Sequence, residues 1–395
     1  MKLFLIGWFG AGNMGDEAIL LSELLFFKKH LPDAQFYILS FDFERTRKMT
    51  AHISEVKKIV QIGSKDNFFQ SHFLALFKTM KTVDTFVIGG GGIFQDIYNH
   101  YPIPFFTLFS VFARIFMKHS LLYSVGFGPV HTTVGMMLCR LAVSLTPIVS
   151  VRDHQSKQLI KDAGSKKGVH VTADPVFLLE PARTPSVIRT INKYSLDSHA
   201  GPKICLCVQD LLYWPDDTRK MMGEVLDSLI LERNTKIIFL PFGQYADKWF
   251  DEHAETVDLK ASKNIAQYMK EKPDFISEEM KPQELLTLIE QFDLVISMRL
   301  HGIIMGLSMT VPVIALTYEK ENKIANLMKR VDQANNLFYI EKIEKTKFCN
   351  AINNSLDNLD TAKTQIAKSV TRLREKCNKF NQYLITELKN KPILG

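Results

Sequence analysis

Short apolar runs alternate with longer amphipathic segments along most of the chain. The runs have the length of buried strands, and most of the segments between them have the spacing of helices. Alternation of this kind predicts largely parallel sheets with helices on both faces. The predicted strands are residues 3–7, 36–39, 85–88, 121–126 and 148–151, followed by 204–208, 236–240, 294–297 and 313–316.

The pattern is interrupted once, between the fifth and sixth predicted strands, where proline, serine and glycine are concentrated. A chain of 395 residues is long enough for two domains of ordinary size. We therefore predict an N-terminal α/β domain, a linker, a C-terminal α/β domain and a helical tail. Their predicted bounds are residues 1–182, 183–202, 203–345 and 346–395.

The predicted tail helix is strongly basic. Residues 361–391 contain eight lysines and arginines but only two glutamates. A solvated helix that packs back on a domain is the favoured interpretation. Attraction to an anionic membrane leaflet is the alternative, so peripheral membrane contact through this helix stays open.

Charge and cysteine content narrow the class of protein. The 49 basic and 42 acidic residues give a formal charge of +7, which favours anionic ligands or an anionic surface. The chain has no basic tract interleaved with aromatics and no zinc-finger spacing, so we expect no nucleic-acid partner.

Five scattered cysteines are unlike a disulfide framework and favour a reducing, cytoplasmic setting. No apolar run is long enough to predict a transmembrane helix, and no cluster predicts a metal site.

A glycine-rich turn follows the first predicted strand. Gly10, Gly12 and Gly15 form a G-x-G-x-x-G pattern, which could present backbone amides to the phosphates of a dinucleotide. Against this, Asp16 and Glu17 would place two negative charges in the first turn of the following helix. Asp16 fits a helix cap. A tight structural turn and a ligand-binding turn therefore both stay open.

Two further candidates follow predicted strands of the first domain. Four glycines, Gly89 with Gly90, Gly91 and Gly92, come directly after the strand at 85–88. Such a run is costly in backbone entropy, but it can clear space for a ligand and present amides to an anion. We therefore favour a ligand role. Arg152 follows the strand at 148–151, where ligand contact and simple pairing with Asp153 are equally compatible with its position.

The most specific stretch is Met298 to Gly302, where a buried strand runs into an apolar helix. Arg299, the helix amides and a titratable His301 could all face one anion there. Lys323, or alternatively Lys320, follows the next predicted strand and could reach the same crevice. Either lysine is a solvated surface residue by default.

The order of these motifs resembles the polysaccharide pyruvyl transferase family over roughly residues 3–331. The resemblance implies two Rossmann-like domains facing across a cleft, similar to the GT-B glycosyltransferases. The long C-terminal helix predicted from the sequence pattern follows these two domains. The motifs that carry it are the turn from Gly10 to Glu17, the run of glycines at 89–92, Ser150 to Asp153, Ala173 to Pro175, and Arg299 with Leu300 and His301.

The resemblance also implies a function and a set of site residues. The donor would be phosphoenolpyruvate, bound in the cleft without a cofactor or metal, and the product a pyruvyl ketal on a sugar. Arg299 and Arg152 would hold the donor's carboxylate and phosphate, and His301 would be the catalytic acid or phosphate partner. The implied substrate-binding residues are Asn13, Asp16, Gly90, Gly91, Gly92, Leu300 and Lys323.

The implied acceptor is a glycan or a lipid-linked saccharide of a cell-surface polysaccharide. The enzyme would then work in the cytoplasm, with the inner face of the membrane as an option. Alternatives are a GT-B glycosyltransferase that uses a nucleotide sugar and a non-catalytic anion-binding protein, because fold alone does not determine function. A dinucleotide-dependent oxidoreductase ranks third.

Overall fold

The computed structural model describes residues 1–62, 71–97, 100–210, 214–243 and 256–390. These residues form two parallel-sheet α/β units. The strands are β1 (Lys2–Ile6), β2 (Gln35–Ser40), β3 (Val56–Gln61), β4 (Thr85–Gly89), β5 (His119–Val125), β6 (Ile148–Val151), β7 (His170–Val171), β8 (Lys203–Cys207), β9 (Lys236–Phe239), β10 (Asp274–Phe275), β11 (Leu294–Ser297), β12 (Val313–Thr317) and β13 (Leu337–Tyr339).

Helices separate most consecutive strands, as the sequence pattern predicts. They are α1 (Met14–His30), α2 (Phe43–Thr50), α3 (Ser71–Thr82), α4 (Pro102–Ile115), α5 (Thr133–Leu145), α6 (His154–Asp162), α7 (Pro185–Lys193), α8 (Asp216–Arg233), α9 (Val257–Ala266), α10 (Pro282–Ile289), α11 (Leu300–Ser308), α12 (Asn322–Arg330), α13 (Lys345–Asp357) and α14 (Leu359–Asn390).

Unit 1 is built on a seven-stranded sheet in the order β3-β2-β1-β4-β5-β6-β7, and every pair of neighbours is parallel. The chain winds outward from β1 to β3 and then returns to start again at β4. The order therefore reverses between β1 and β4. Ligands of parallel sheets bind at the carboxyl ends of the strands beside such a reversal, and we call this edge the carboxyl edge.

Unit 2 repeats the plan with a six-stranded parallel sheet in the order β10-β9-β8-β11-β12-β13. Here the order reverses between β8 and β11. The expected ligand position is therefore the carboxyl edge after β8 and β11. Each unit has its own apolar core, which contains Phe86 and Phe106 in unit 1 and Phe239 and Phe348 in unit 2.

All nine predicted strands are present, and the two-unit α/β fold is confirmed. The four strands that the sequence pattern missed, β3, β7, β10 and β13, are the outermost strands of the two sheets. An edge strand pairs on one side only, so it needs no continuous apolar run. In β3, for example, Lys57 is exposed and Lys58 is half-buried, which hides the strand from a search for buried runs.

The two units do not divide the chain at a single point. Unit 1 comprises Met1–Ala11, Asp16–Leu179 and Leu373–Gly395, whereas unit 2 comprises Gly12–Gly15 and Glu180–Arg372. Four residues of the first glycine-rich turn thus pack with unit 2. The segment 183–202, predicted as a linker, contains helix α7.

The long C-terminal helix α14 spans 32 residues. Its part within unit 1 is anchored by two side-chain hydrogen bonds: Tyr123 Oη donates to Asn381 Oδ1 at 2.8 Å, and Arg374 Nε donates to the Phe177 carbonyl at 2.8 Å. Cys377 and Leu384 on the same face are buried. The helix therefore packs on unit 1 through an apolar face, whereas its exposed residues include Lys376 and Lys379. Among the described residues, no helix has the length and apolar character needed to span a bilayer.

Candidate functional site

The carboxyl edge of unit 2 carries Arg299 and His301. Only two residues separate the end of β11 from the start of α11, and Ser297 stabilises this short turn. Its hydroxyl accepts a hydrogen bond from Arg299 N at 3.0 Å and donates one to Arg299 O at 2.9 Å. The N-terminus of α11 therefore lies at the reversal of strand order, where the helix dipole favours an anion.

Arg299 is held by a buried acidic partner, Asp258, near the start of α9. Its Nε donates to Oδ2 of Asp258 at 3.0 Å and its Nη2 donates to Oδ1. The arginine is 9% exposed, whereas Asp258 is fully buried. Two parallel bonds of this kind fix the plane of the guanidinium group, so the orientation of Arg299 is set before any ligand arrives.

Backbone amides complete the surroundings of Asp258. Phe242 N and Gly243 N donate to its Oδ2 at 2.9 and 2.8 Å. A Cβ atom at residue 243 would lie 2.6 Å from Arg299 Nη2, so only glycine leaves room for the arginine. Asp258 could not be predicted from the sequence, because it is 41 positions away from Arg299 and no local motif marks the pairing.

His301 is buried against the first glycine-rich turn. It is 8% exposed, and a Cβ atom at Gly15 would overlap its imidazole ring. The turn is tied to the same part of unit 2, because Met14 N donates to the Phe242 carbonyl at 2.9 Å and Asn13 forms an antiparallel bridge with Gly243. The structure thus brings Asn13, Gly15, Arg299 and His301 into one neighbourhood.

The predicted cap of α1 is wrong. Helix α1 begins at Met14, which places Asp16 inside its first turn rather than before it. The side chain of Asn13, immediately before the helix, accepts a hydrogen bond from Gly15 N at 3.2 Å. Asn13 is therefore the capping residue, a role in which an amide oxygen works as well as a carboxylate.

The four glycines after β4 are packed closely by α1. Gly90 and Gly91 have φ angles of +67° and +72°, which disfavour other residues. A Cβ atom at Gly89 would meet the carboxyl group of Glu23, and one at Gly90 would meet Ile19. Helix packing thus accounts for part of the glycine run, for which the sequence predicts a ligand role.

Two glutamates of α1 are buried in unit 1. Burial raises the pKa of Glu17 from its ordinary 4.5 to about 8, against the opposing effect of the hydrogen bond from Gly10 N at 2.8 Å. Glu23 is fully buried, and burial raises its pKa well above 4.5, with Asp174 adding to the shift. The expected pair of charges at Asp16 and Glu17 is therefore wrong, because Glu17 is mostly neutral at neutral pH.

Arg152 lies at the carboxyl edge of unit 1, after β6. It is buried, and its guanidinium is 3.7 Å from Asp153 Oδ2 through Nε and 3.5 Å from Asp174 Oδ2 through Nη1. A Cβ atom at Gly126 would lie 2.8 Å from the same group. The pairing with Asp153, one of the two alternatives that the sequence leaves open, is present, together with a second acidic partner, Asp174.

The remaining candidates lie around α11 and α12. Leu300 is half-buried in the first turn of α11. Lys323 is in the first turn of α12, with its Nζ 3.7 Å from the buried Glu321, whereas Lys320 is exposed. Within the described residues, no group of three or more histidine, cysteine, aspartate or glutamate side chains could hold a metal ion.

Two parallel sheets, each with charged groups at its carboxyl edge, define the two-domain fold found in glycosyltransferases and sugar-nucleotide epimerases. A putative UDP-N-acetylglucosamine 2-epimerase from Listeria monocytogenes superposes with a TM-score of 0.64 at 11% identity, covering 99% of this chain and 98% of that one. A glycosyltransferase from Rickettsia africae superposes with a TM-score of 0.62 at 15% identity, covering 99% of both chains. The E. coli ADP-heptose heptosyltransferase II superposes with a TM-score of 0.52 at 14% identity, covering 91% of this chain and 100% of that one. At these identities the similarity shows the fold alone.

The family follows from a different comparison. Residues 13–320 match the family model described as polysaccharide pyruvyl transferase. The chain belongs to the polysaccharide pyruvyl transferase family. The search of curated proteins gave no match.

The contact between Gly15 and His301 gives a first prediction. Glycine-to-alanine changes in a helix normally stabilise by about 1 kcal/mol. We expect Gly15→Ala instead to destabilise by about 1–3 kcal/mol, because the methyl group must displace the imidazole. Urea unfolding measures the change, and the histidine ring signals in NMR spectra should shift. Gly168→Ala is the control, since a Cβ atom there meets nothing within 4 Å. Equal behaviour of the two variants would contradict the packing of His301 on Gly15.

The raised pKa of Glu17 gives a second prediction. Between its ordinary pKa of 4.5 and about 8, Glu17 is protonated in the folded state and ionised in the unfolded state. Its contribution to stability therefore falls as pH rises through this window and is constant above it. The free energy of unfolding should therefore decrease with rising pH in this window. Glu17→Gln should reduce the slope of that decrease by up to about 1.4 kcal/mol per pH unit.

Urea unfolding at several pH values across this window measures the slope. Glu23 contributes in the same direction, so part of the slope should persist in the Glu17→Gln variant. Asn378→Gln, on an exposed position of α14, changes no titratable group and should leave the slope unchanged. A Glu17→Gln slope equal to that of the wild type would show that Glu17 is ionised in the folded protein.

Proposed function

We propose that the protein transfers the pyruvyl group of phosphoenolpyruvate to a sugar of a cell-surface polysaccharide or its precursor, forming a ketal and releasing phosphate. Membership of the polysaccharide pyruvyl transferase family supports a transferase of this kind. The observation that carries the proposal is the position of Arg299 and His301 at the N-terminus of α11, on the carboxyl edge of unit 2.

The chemistry of the donor suits this position. Phosphoenolpyruvate carries a carboxylate and a phosphate close together, and both are recognised well by an arginine fork and by a helix N-terminus. Arg299 enters the reaction already oriented by Asp258. We assign Arg299 to one anionic group of the donor. Arg152, at the carboxyl edge of unit 1, is the second candidate arginine.

In the proposed mechanism, a proton is delivered to the methylene carbon of the donor and positive charge develops at its second carbon. A sugar hydroxyl forms a bond to that carbon and loses its proton, and phosphate leaves. A second hydroxyl of the same sugar then closes the cyclic ketal and loses its proton. His301 is the group we assign to proton transfer, because imidazole can both give and accept a proton near neutral pH.

The alternative function is glycosyl transfer from a nucleotide sugar. The fold of the solved neighbours favours it, since glycosyltransferases are among them. Fold does not determine chemistry, and the family match outweighs it here. A non-catalytic anion-binding protein would bind the donor through Arg299 but show no turnover.

The first experiment compares donor binding in variants of Arg299. Arg299→Ala should weaken phosphoenolpyruvate binding by about 1.5–3 kcal/mol, the range for a charged hydrogen bond. It also leaves Asp258 buried without its partner, so folding must be checked. Arg299→Lys keeps the positive charge but loses the fork, and it should fold while binding the donor at least about tenfold more weakly. Isothermal titration calorimetry measures both.

Arg219→Lys is the matched control for this experiment. It changes an arginine of unit 2 that pairs with Asp210 and Asp216, and donor affinity should not change. His301→Ala should retain donor binding and lose most phosphate release in the presence of a lipid-linked saccharide fraction. Full donor affinity in a folded Arg299→Lys variant would remove Arg299 from the donor site. Equal losses of binding and turnover in His301→Ala would make His301 a binding residue only.

A further inference from the structure

Helices α4 and α5 of unit 1 expose a set of large apolar side chains. Six of them form what we call the apolar patch, and they are between 41% and 75% exposed. They are Leu108 and Ile115 on α4, Met117 two residues beyond its end, and Val134, Met137 and Leu141 on α5. Single exposed apolar residues are common on protein surfaces, but a contiguous group marks an interaction site.

The spacing of these residues makes the patch continuous. On α4, Pro104, Leu108, Val111 and Ile115 follow one another at intervals of four, three and four residues, and none of them is buried. The same interval pattern joins the three residues of α5, so each helix presents one straight apolar stripe. The opposite sides of both helices fill the core of unit 1.

The two stripes lie side by side because α4 and α5 pack along their lengths. Thr107 Oγ1 donates to the Leu138 carbonyl at 3.4 Å, and Thr146 Oγ1 donates to Ser110 Oγ at 3.2 Å further along the pair. Near the beginning of α5, a Cβ atom at Gly135 would lie 3.1 Å from Ile103. These contacts place the outer sides of both helices on one surface.

Charge on α4, on α5 and on the segment between them has a single sign. From residue 97 to residue 152 the sequence contains no aspartate or glutamate, although it contains Arg114, Lys118 and Arg140 around the two helices. Arg114 and Arg140 are exposed. Helix α3, whose Phe77 ring packs against the ring of Phe116, adds Lys78 and Lys81 and again no acidic residue. Apolar side chains bordered by basic ones are the composition of surfaces that lie in the interface of an anionic bilayer.

We propose that the apolar patch of α4 and α5 docks the protein on an anionic membrane surface. The exposed apolar residues enter the boundary between headgroups and acyl chains, and the surrounding arginines and lysines pair with lipid phosphates. A second copy of the chain fits the patch less well. A symmetric dimer through this surface would place the basic residues of one copy against those of the other, with no acidic residue of the patch to pair with them.

The apolar patch lies on helices that begin near the carboxyl edge of unit 1. Helices α4 and α5 follow β4 and β5, so their first turns lie on the side of unit 1 that carries the carboxyl edge. Val134 is in the first turn of α5. Docking through this surface would hold the carboxyl edge of unit 1 near the bilayer, where lipid-linked saccharides are found. Membrane docking goes beyond the proposed pyruvyl transfer and does not depend on it.

Vesicle flotation tests the proposal with the full chain and without any substrate. Wild-type protein should float with vesicles of phosphatidylcholine containing about a third phosphatidylglycerol, and much less with phosphatidylcholine alone. The double variant Ile115→Glu with Met137→Glu should partition at least about tenfold more weakly, since it removes apolar contact and adds repulsion. Both positions are more than 60% exposed, so the fold should tolerate the change, which circular dichroism checks.

Two control variants sharpen the test. Ile188→Glu with Leu231→Glu changes two exposed apolar residues of unit 2 and should float like the wild type. Lys376→Glu with Lys379→Glu changes the basic face of α14 and should retain most binding. In Cys349→Ser protein, an environment-sensitive dye on Met117→Cys should shift its emission on adding anionic vesicles, whereas the same dye on Leu231→Cys should not.

Three outcomes would overturn the proposal. The first is wild-type protein that fails to float with anionic vesicles. The second is loss of flotation in the α14 variant but not in the patch variant, which would move membrane contact to the basic helix. The third is a dimer in sedimentation equilibrium that the patch variant dissociates, which would assign the patch to a second copy of the chain. None of these outcomes bears on phosphoenolpyruvate binding, so the two proposals fail separately.

Discussion

The bidentate pair between Arg299 and Asp258 connects the segments that form the carboxyl edge of unit 2. It joins the start of α9 to the turn between β11 and α11, and through the amides of Phe242 and Gly243 it reaches the loop after β9. That loop in turn bridges to Asn13 in the first glycine-rich turn. A buried ion pair is costly to break, about 3–5 kcal/mol, because the remaining charge stays desolvated. The pair therefore makes Arg299 a fixed group rather than a flexible surface arginine.

Close packing on glycine is common to the three groups that we assign to chemistry. Arg299 lies against Gly243, His301 against Gly15 and Arg152 against Gly126. At each of these glycines a Cβ atom would collide with the functional side chain, so the backbone itself forms one wall of its site. Side chains confined in this way lose few rotamers when a ligand binds, which lowers the entropic cost of recognition. The apolar patch is the contrasting case, since its side chains are exposed and have no such wall.

Much of the fold could be predicted from the sequence, because buried central strands leave continuous apolar runs. The four outermost strands could not, since a strand with one neighbour needs fewer apolar residues. The positions of Arg299 and His301 were also predictable, because a strand that runs into a helix places them at the carboxyl edge. Asp258 and Glu23 were not, since each meets its neighbours through contacts between residues far apart in sequence. For the same reason, sequence alone suggested a charged Glu17 and a capping Asp16, whereas burial neutralises the first and Asn13 replaces the second.

We propose that the site built around Arg299 serves phosphoenolpyruvate rather than a nucleotide. This proposal is tested most directly by calorimetric titration of the wild-type protein with phosphoenolpyruvate, a nucleotide sugar and NAD in parallel. We expect saturable binding of phosphoenolpyruvate and no binding of the nucleotide sugar or NAD. Saturable binding of the nucleotide sugar without phosphoenolpyruvate would contradict it and would identify the chemistry as glycosyl transfer on the same fold.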